Sequence, residues 1–175
     1  LPGDVSTDFS PKLRYLIRRS RMRQEWLKEM QEFRGAQPLA YVASAGVNES
    51  IPELASRVRD LLGVSIAPRA SWRQNHNPLR TWIDAVEKAG TFVFQSSDVN
   101  QDKMRGFALI DHLAPVILIN GKDPSQARSF TLFHEFSHIL LGKPGVSNVR
   151  FAYQGMGDTA QIEVFSNALA AEVLA

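Results

Sequence analysis

Residues 134–138, His-Glu-Phe-Ser-His, place two histidines four positions apart around a glutamate. On a helix, His134 and His138 would project from one face about one turn apart, so both imidazoles could bind a single tetrahedral metal ion. Glu135 would flank the ion and reach a water molecule held by it. Zinc lowers the pKa of such a water to about 7, and a carboxylate can take its proton. The spacing therefore predicts a zinc site with Glu135 as general base.

A pair of ordinary core histidines beside a solvated glutamate is the alternative interpretation of this motif. The apolar residues around it fit both interpretations, because an active-site helix is also a buried helix. Two unpartnered buried imidazoles beside a carboxylate would be costly to desolvate, whereas a metal ion would satisfy all three groups. The chain contains no cysteine, so a metal must be held by histidine, aspartate or glutamate. We therefore favour the metal site.

The third ligand is predicted from the carboxylates after the motif, because no later histidine exists. They are Asp158, Glu163 and Glu172. Asp158 is better explained as the N-cap of a helix. Glu163 and Glu172 are nine residues apart and therefore lie on opposite faces of that helix, so only one can reach the metal. We predict Glu163 as the ligand, because small side chains that share its face would let the two helices pack closely. These are Asn167, Ala170 and Ala171.

Several further side chains have open roles. His76 and His112 are alternatives for the third ligand. Asn167 is interpreted either as a hydrogen-bonding partner of a ligand or as a structural amide. Tyr153 could place its hydroxyl near the oxyanion, and His76, His112 and Tyr41 are further candidates for that role. For each of the four oxyanion candidates an ordinary structural role is the favoured interpretation, whereas the two interpretations of Asn167 are equally favoured.

Apolar residues at helical spacing predict five helices, two of which carry the candidate ligands. The first three are expected at residues 10–35, 50–62 and 77–90. The motif helix should have Asp123 as N-cap and Pro124 at its first position, and should end before Gly142. Asp158 should cap the last helix.

β-Branched and aromatic residues predict three strands, at residues 91–95, 106–110 and 115–119, of which the last two form a hairpin. We therefore expect an α+β fold with a small, three-stranded and mostly antiparallel sheet packed on the motif helix. The chain is divided into a mainly helical N-terminal region, residues 1–89, packed on a catalytic core, residues 90–175.

The composition is that of an ordinary soluble globular protein, with 44% hydrophobic and 22% charged residues. No apolar run approaches the roughly 18 residues needed to span a bilayer, and no secretory signal is visible. Together with the absence of cysteine, these features predict a cytoplasmic protein that makes no membrane contact.

Positive charge is concentrated in the first half of the chain, where residues 1–80 contain 13 Lys or Arg and 8 Asp or Glu. The surplus peaks at five arginines: Arg14, Arg18, Arg19, Arg21 and Arg23. A nucleic-acid surface is one interpretation. A solvated helix face is the more common meaning of such a run, and aromatic residues do not alternate with the arginines in the manner of a single-strand binder.

The motif and its flanks resemble the ImmA/IrrE family of metallopeptidases. That family combines a Thr-x-x-His-Glu-x-x-His helix with a second helix that begins with a ligand Glu and continues Asn-x-x-Ala-Ala-x-x-Leu. Matching residues run from the last two predicted strands into residues 130–142 and resume at residues 163–174. The resemblance is specific over about residues 90–175 and loose over residues 1–89.

The resemblance implies zinc bound by His134, His138 and Glu163, with Glu135 as catalytic base. It also implies a regulatory role. Members are typically encoded by bacteria and mobile elements, and some cleave or inactivate a helix-turn-helix repressor to switch genes on. Many are preceded by an Xre-type helix-turn-helix domain, which would provide a contact with DNA. We find no such domain in this sequence.

The ends of the sequence suggest a fragment of a longer protein. It begins Leu1-Pro2, and the family's Met-Pro after the last Leu is missing because the sequence stops at Ala175. We expect any Xre-type domain to lie upstream of Leu1.

Two functional hypotheses follow. The leading one is a zinc endopeptidase that hydrolyses a peptide bond in a protein regulator, such as a helix-turn-helix repressor or an antitoxin-like partner. The alternative is a zinc-stabilised, non-catalytic sensor or interaction domain of a transcription regulator. The motif alone cannot separate them, because it reports the chemistry of a site and not turnover.

Overall fold

A computed structural model describes residues 9–64, 78–147 and 157–175. In these residues, five helices and four strands follow one another along the chain. Their order is α1 (Pro11–Phe33), α2 (Ile51–Leu62), α3 (Pro78–Lys88), β1 (Phe92–Ser96), β2 (Gly106–Leu109), β3 (Val116–Asn120), α4 (Ser125–Leu141), β4 (Gly145–Ser147) and α5 (Gly157–Leu174). The α+β class expected from the sequence is confirmed.

Several helix ends follow the capping signals in the sequence. The Ser10 hydroxyl accepts a hydrogen bond from the Leu13 N–H at 3.3 Å, and Pro11 is the first residue of α1. Gly63 follows α2 in the left-handed conformation, with a φ of 65°, which glycine adopts without the steric cost of a side chain. The predicted start of the third helix at Asn77 lies outside the described residues.

The acidic caps predicted for the last two helices are wrong. Pro124, not Asp123, is the N-cap of α4. The buried Asp123 side chain instead accepts a hydrogen bond from the Gln101 Nε2 at 2.9 Å. Asp158 lies inside the first turn of α5, where a carboxylate interacts favourably with the helix dipole. A carboxylate near a helix start thus has uses that compete with capping.

The sheet is mixed and has the strand order β1-β3-β2-β4. The predicted hairpin of β2 and β3 is confirmed, with Leu109 opposite Val116 in an antiparallel pair. β1 pairs with β3 in parallel, and β4 pairs with β2 antiparallel. Two of the three pairings are therefore antiparallel, as expected.

β4 is a strand that the sequence did not predict, so the expected three-stranded sheet has four strands in the described part of the chain. The segment is three residues long and begins with Gly145. Such a short segment shows no alternation of apolar and polar residues, which is the main signal for a strand. Its place at one end of the sheet, directly after α4, bears on the site described below.

β3 separates two hydrophobic cores. All five of its residues are buried, and successive side chains of a strand point to opposite faces of the sheet. Ile117 and Ile119 belong to the larger core, which also includes residues of α2, α3, α4 and α5. Val116 and Leu118 belong to a smaller core with α1. The described residues therefore form three layers, with α4 in the larger core.

α1 is held on the sheet by apolar and polar contacts. Leu13, Leu16, Ile17 and Leu27 are buried on its inner side. The Gln24 Nε2 donates hydrogen bonds to the backbone carbonyls of Leu109 at 3.1 Å and Ala114 at 2.9 Å. The Lys28 ammonium lies 3.1 Å from the Asp111 carboxylate. These contacts fix the rotation of α1 about its own axis.

Two remaining expectations concern membranes and domains. Among the helices of residues 9–64, 78–147 and 157–175, none is long and apolar enough to cross a membrane. α2 and α3 contribute to the same core as α4 and α5. The division into residues 1–89 and 90–175 stays a prediction.

Candidate metal centre

The structure brings the three predicted ligands together. His134 and His138 lie one turn apart on α4, and Glu163 comes from the N-terminal half of α5. The two Nε2 atoms are 3.3 Å apart. One Glu163 oxygen lies 3.3 Å from the His134 Nε2, and its other oxygen lies 3.3 Å from the His138 Nε2. All three ligand atoms lie within 4.8 Å of one another, so these residues could hold a metal ion.

Close packing of α4 and α5 makes this convergence possible. Ala170 is fully buried in the core to which both helices contribute. This burial agrees with its predicted place on the face of α5 that carries Glu163. Ser166 is also fully buried. Ala171, expected on the same contact face, is exposed instead. The small residues that permit close approach are therefore Ser166 and Ala170.

Each histidine is oriented by a hydrogen bond from its second ring nitrogen. The His134 Nδ1 lies 2.9 Å from the Asn167 Oδ1, and the His138 Nδ1 lies 3.0 Å from the Lys143 backbone carbonyl. Both partner oxygens can only accept, so each Nδ1 carries the hydrogen. Each neutral imidazole then directs the lone pair of its Nε2 toward Glu163.

This arrangement fits a bound cation. Two nitrogen lone pairs and an anionic carboxylate meet at distances near 3.3 Å, and groups that carry negative potential repel one another when buried together. A positive ion among them converts the repulsion into attraction. Two imidazoles and one carboxylate are also a ligand set that zinc accepts while keeping a fourth position open.

Protons compete for the same positions. Burial by itself would lower the pKa of His134, but the hydrogen bond to Glu163 and the charges of Glu135 and Glu163 raise it above its ordinary value of 6.5. Burial by itself would raise the pKa of Glu163, but hydrogen bonds from His134 and His138 lower it to about 2. The carboxylate therefore stays ionised, and the His134 imidazole is the group whose protonation changes.

The turn after α4 shapes the histidine side of the site. Gly142 ends α4 with a φ of 64°, in the left-handed region that favours glycine. The Lys143 N–H then donates to the His138 carbonyl at 3.1 Å, while the Lys143 carbonyl accepts from the His138 imidazole. One tight turn thus supplies the orienting acceptor.

Gly145, the first residue of β4, lies directly against the His138 ring. A Cβ atom at this position would lie 2.6 Å from the ring Nε2 and 2.7 Å from Nδ1, which is closer than non-bonded atoms approach. Only glycine leaves room for the imidazole and the strand in their present positions. Neither Gly145 nor the Lys143 carbonyl was predicted from the sequence, because a contact made by the backbone does not depend on residue type, apart from the need for glycine at position 145.

Glu135, the predicted general base, is completely buried beside the predicted ligands. β2 approaches α4 closely here, since a Cβ atom at Gly106 would lie 2.6 Å from the Thr131 Cγ2 and 3.2 Å from the Glu135 Cγ. Glu135 contributes charge to the environment of His134. It is not among the three residues whose ligand atoms converge.

Two of the other candidates, His112 and Tyr41, lie in the described part of the chain. His112 is exposed, and its backbone carbonyl accepts from the Leu39 N–H at 2.7 Å. The Tyr41 hydroxyl lies 2.8 Å from the Thr91 Oγ1, its ring packs on Phe136, and burial raises its pKa, all of which indicate a structural role. His76 and Tyr153 fall outside the described residues.

The contact of Gly145 with His138 leads to a first prediction. Gly145→Ala should push the imidazole or β4 out of position and lower zinc affinity by about tenfold or more, the effect typical of disturbed orienting contacts. Gly46→Ala is the matched control, because a Cβ at Gly46 meets nothing within 4 Å. Competition with a chromophoric zinc chelator measures both variants. Equal affinities for both would contradict the proposed role of Gly145.

The raised pKa of His134 leads to a second prediction. Above that pKa the imidazole is neutral and a metal displaces no proton. As pH falls through it, apparent zinc affinity should decrease by about tenfold per pH unit for each proton displaced. The Glu163 carboxylate, with a pKa of about 2, stays charged over this range. Chelator competition between about pH 8 and about pH 6 tests this, and an affinity that stays constant would exclude His134 as a ligand.

Comparisons with known proteins identify the family. The model of the IrrE N-terminal-like domain, a peptidase family, matches residues 86–174, which are 89 of the 175 residues. No curated protein matches the chain. The family supports a metallopeptidase-type function on a protein substrate, and the three converging side chains point to a metal. The resemblance noted in the sequence is confirmed: the chain belongs to the IrrE N-terminal-like domain family of peptidases.

Proposed function

We propose that this protein is a zinc endopeptidase that hydrolyses a peptide bond in a protein regulator. The observation that carries the proposal is the convergence of the His134 Nε2, the His138 Nε2 and the Glu163 carboxylate, with both imidazole lone pairs directed inward. Glu135 lies beside them, fully buried. This is the set of groups that metal-assisted hydrolysis requires.

Zinc is the metal that this ligand set favours. Cysteine is absent from the chain, and two nitrogens with one carboxylate oxygen suit zinc better than magnesium or calcium, which prefer oxygen ligands. When bound, zinc supplies a Lewis acid that polarises the peptide carbonyl and lowers the pKa of water. Asn167 and the Lys143 carbonyl hold the imidazoles in the tautomer that binding requires.

The protein's own proton transfers are assigned to Glu135. Its carboxylate takes a proton from the attacking water and passes it to the amide nitrogen of the peptide bond that breaks, which leaves as an amine. The products are a new carboxyl terminus and a new amino terminus, so one water molecule is consumed in each cycle. Burial of Glu135 beside Gly106 limits the movement of its side chain, which keeps the base in place between the two transfers.

The substrate segment is proposed to lie extended beside β4. β4 ends the sheet order of the described strands, and its first residue contacts the His138 ring. A peptide that pairs with this edge by main-chain hydrogen bonds would pass next to the metal ligands. Recognition through the main chain explains how one site could act on a flexible segment of a folded regulator.

The class of substrate is proposed from the family resemblance. A helix-turn-helix repressor or an antitoxin-like protein in the bacterial cytoplasm is the expected target, and its cleavage would switch genes on. The alternative is a zinc-stabilised sensor domain without turnover. Both hypotheses use the same three ligands, so only a substitution of the proposed base can distinguish a peptidase from a sensor domain.

Glu135→Gln provides that test. The variant should keep the zinc content of the parent protein but reduce cleavage by about 10²-fold or more, because the amide cannot accept a proton. The zinc-loaded protein is incubated with the helix-turn-helix proteins encoded beside it, and cuts are mapped by mass spectrometry. Glu172→Gln is the control, since Glu172 is not among the converging ligands, and it should cleave normally.

Two results would count against the peptidase proposal. Equal cleavage by Glu135→Gln and the parent would exclude Glu135 as the base. If the parent binds zinc stoichiometrically, associates with a neighbouring regulator and leaves it uncut, the sensor alternative is supported instead.

A further inference from the structure

α1 carries a row of large apolar side chains on its outer face. Tyr15, Met22, Trp26 and Phe33 are exposed by 66%, 74%, 61% and 94%. At 100° per residue, these positions fall within about 40° of one another around the helix axis. Single exposed apolar residues are ordinary, but an aligned row marks a contact surface. The contacts of Gln24 and Lys28 with the sheet hold this row away from the protein's own core.

The spacing of the row is that of a coiled-coil seam. Successive intervals of seven, four and seven residues place Trp26 and Phe33 at a positions and Tyr15 and Met22 at d positions of a heptad. Between Tyr15 and Phe33, Arg19 fills the remaining a position and Glu29 the remaining d position. Both are exposed. We call these six residues the outer seam.

The outer seam is complementary to itself in the antiparallel direction. Consider a second copy of α1 that runs antiparallel to the first. Each residue then faces the residue of the second copy for which the two residue numbers sum to 48. Arg19 then faces Glu29 of the second copy, Tyr15 faces Phe33, and Met22 faces Trp26. Two-fold symmetry repeats each pair, which gives six layers, four of them apolar. Every layer pairs matching chemistry.

Charge along α1 favours the same direction. Residues 11–22 of the helix contain no acidic residue and five basic ones: Lys12, Arg14, Arg18, Arg19 and Arg21. Residues 23–33 contain Glu25, Glu29 and Glu32, together with Arg23 and Lys28, which contact Phe94 and Asp111 of the same chain. Antiparallel pairing places each basic half along an acidic half, while parallel pairing in register would place arginine on arginine and glutamate on glutamate. A nucleic acid would match the basic half alone and would leave the apolar row and the glutamates unexplained.

We propose that the protein forms a two-fold symmetric homodimer in which the outer seams of two α1 helices pack antiparallel. α1 covers the face of the sheet opposite to the core that contains α4. The dimer contact therefore leaves the His134–His138–Glu163 site of each subunit on the side away from its partner. Changes in the outer seam should alter self-association without altering zinc binding.

A charge-exchange series tests the proposal. Analytical ultracentrifugation of the parent protein should show a concentration-dependent dimer. Arg19→Glu and Glu29→Arg should each weaken self-association by about tenfold or more, because each creates two like-charge layers. The double variant should restore the dimer, and so should an equal mixture of the two single variants. Arg21→Glu, about 120° around the helix from the row, makes the same change in net charge and should have little effect.

Folding of each variant is checked by its zinc affinity, which should equal that of the parent. A parent protein that stays monomeric at roughly 100 μM, which implies a very weak contact, would overturn the proposal. So would single variants that dimerise like the parent, or a double variant and a mixture that both fail to recover. Loss of binding to DNA in Arg19→Glu and Arg21→Glu alike, with a monomeric parent, would instead assign α1 to nucleic acid.

Discussion

Three acceptor groups meet at one point in this protein, and much of the surrounding structure serves to hold them there. The Nε2 atoms of His134 and His138 and the Glu163 carboxylate lie about 3.3 Å from one another. Hydrogen bonds at both Nδ1 atoms prevent the rings from turning their lone pairs away. Close approach of these three acceptors is unfavourable without a cation and favourable around one. The free energy of metal binding would therefore also stabilise the fold.

The geometry of the group depends on features far apart in the chain. α4 sets the spacing of the two histidines, and the close packing around Ala170 brings Glu163 across from α5. The turn at Gly142 and the bare backbone of Gly145 fit the chain around His138. The sheet packs against α4, and β2 covers Glu135 at Gly106. Preorganisation of this kind would let the proposed ligands and the proposed base act without rearrangement during hydrolysis.

Features set by helix geometry could be predicted from the sequence. The i, i+4 spacing of the histidines and the shared face of Glu163 and Asn167 follow from 3.6 residues per turn, so the structure brings these side chains together as expected. Features set by tertiary contact could not be predicted. Asp123 bonds to Gln101 and does not cap α4 as expected. β4 is too short to show a periodic pattern. The parallel pairing of β1 with β3 depends on where the intervening chain runs. The role of the Lys143 carbonyl leaves no signature in the sequence, because every residue has a backbone carbonyl.

Zinc binding by a matched pair of variants tests most directly whether Glu163 completes a metal site with the two histidines. Glu163→Ala and Glu172→Ala remove the same group from the same helix, but only Glu163 contacts the imidazoles. Chelator competition and metal analysis of the purified proteins should show one zinc per chain in the parent and in Glu172→Ala. Affinity should fall by about tenfold to 10³-fold in Glu163→Ala, since one of three ligands is lost. Unchanged zinc affinity in Glu163→Ala, or a greater loss in Glu172→Ala, would contradict the account.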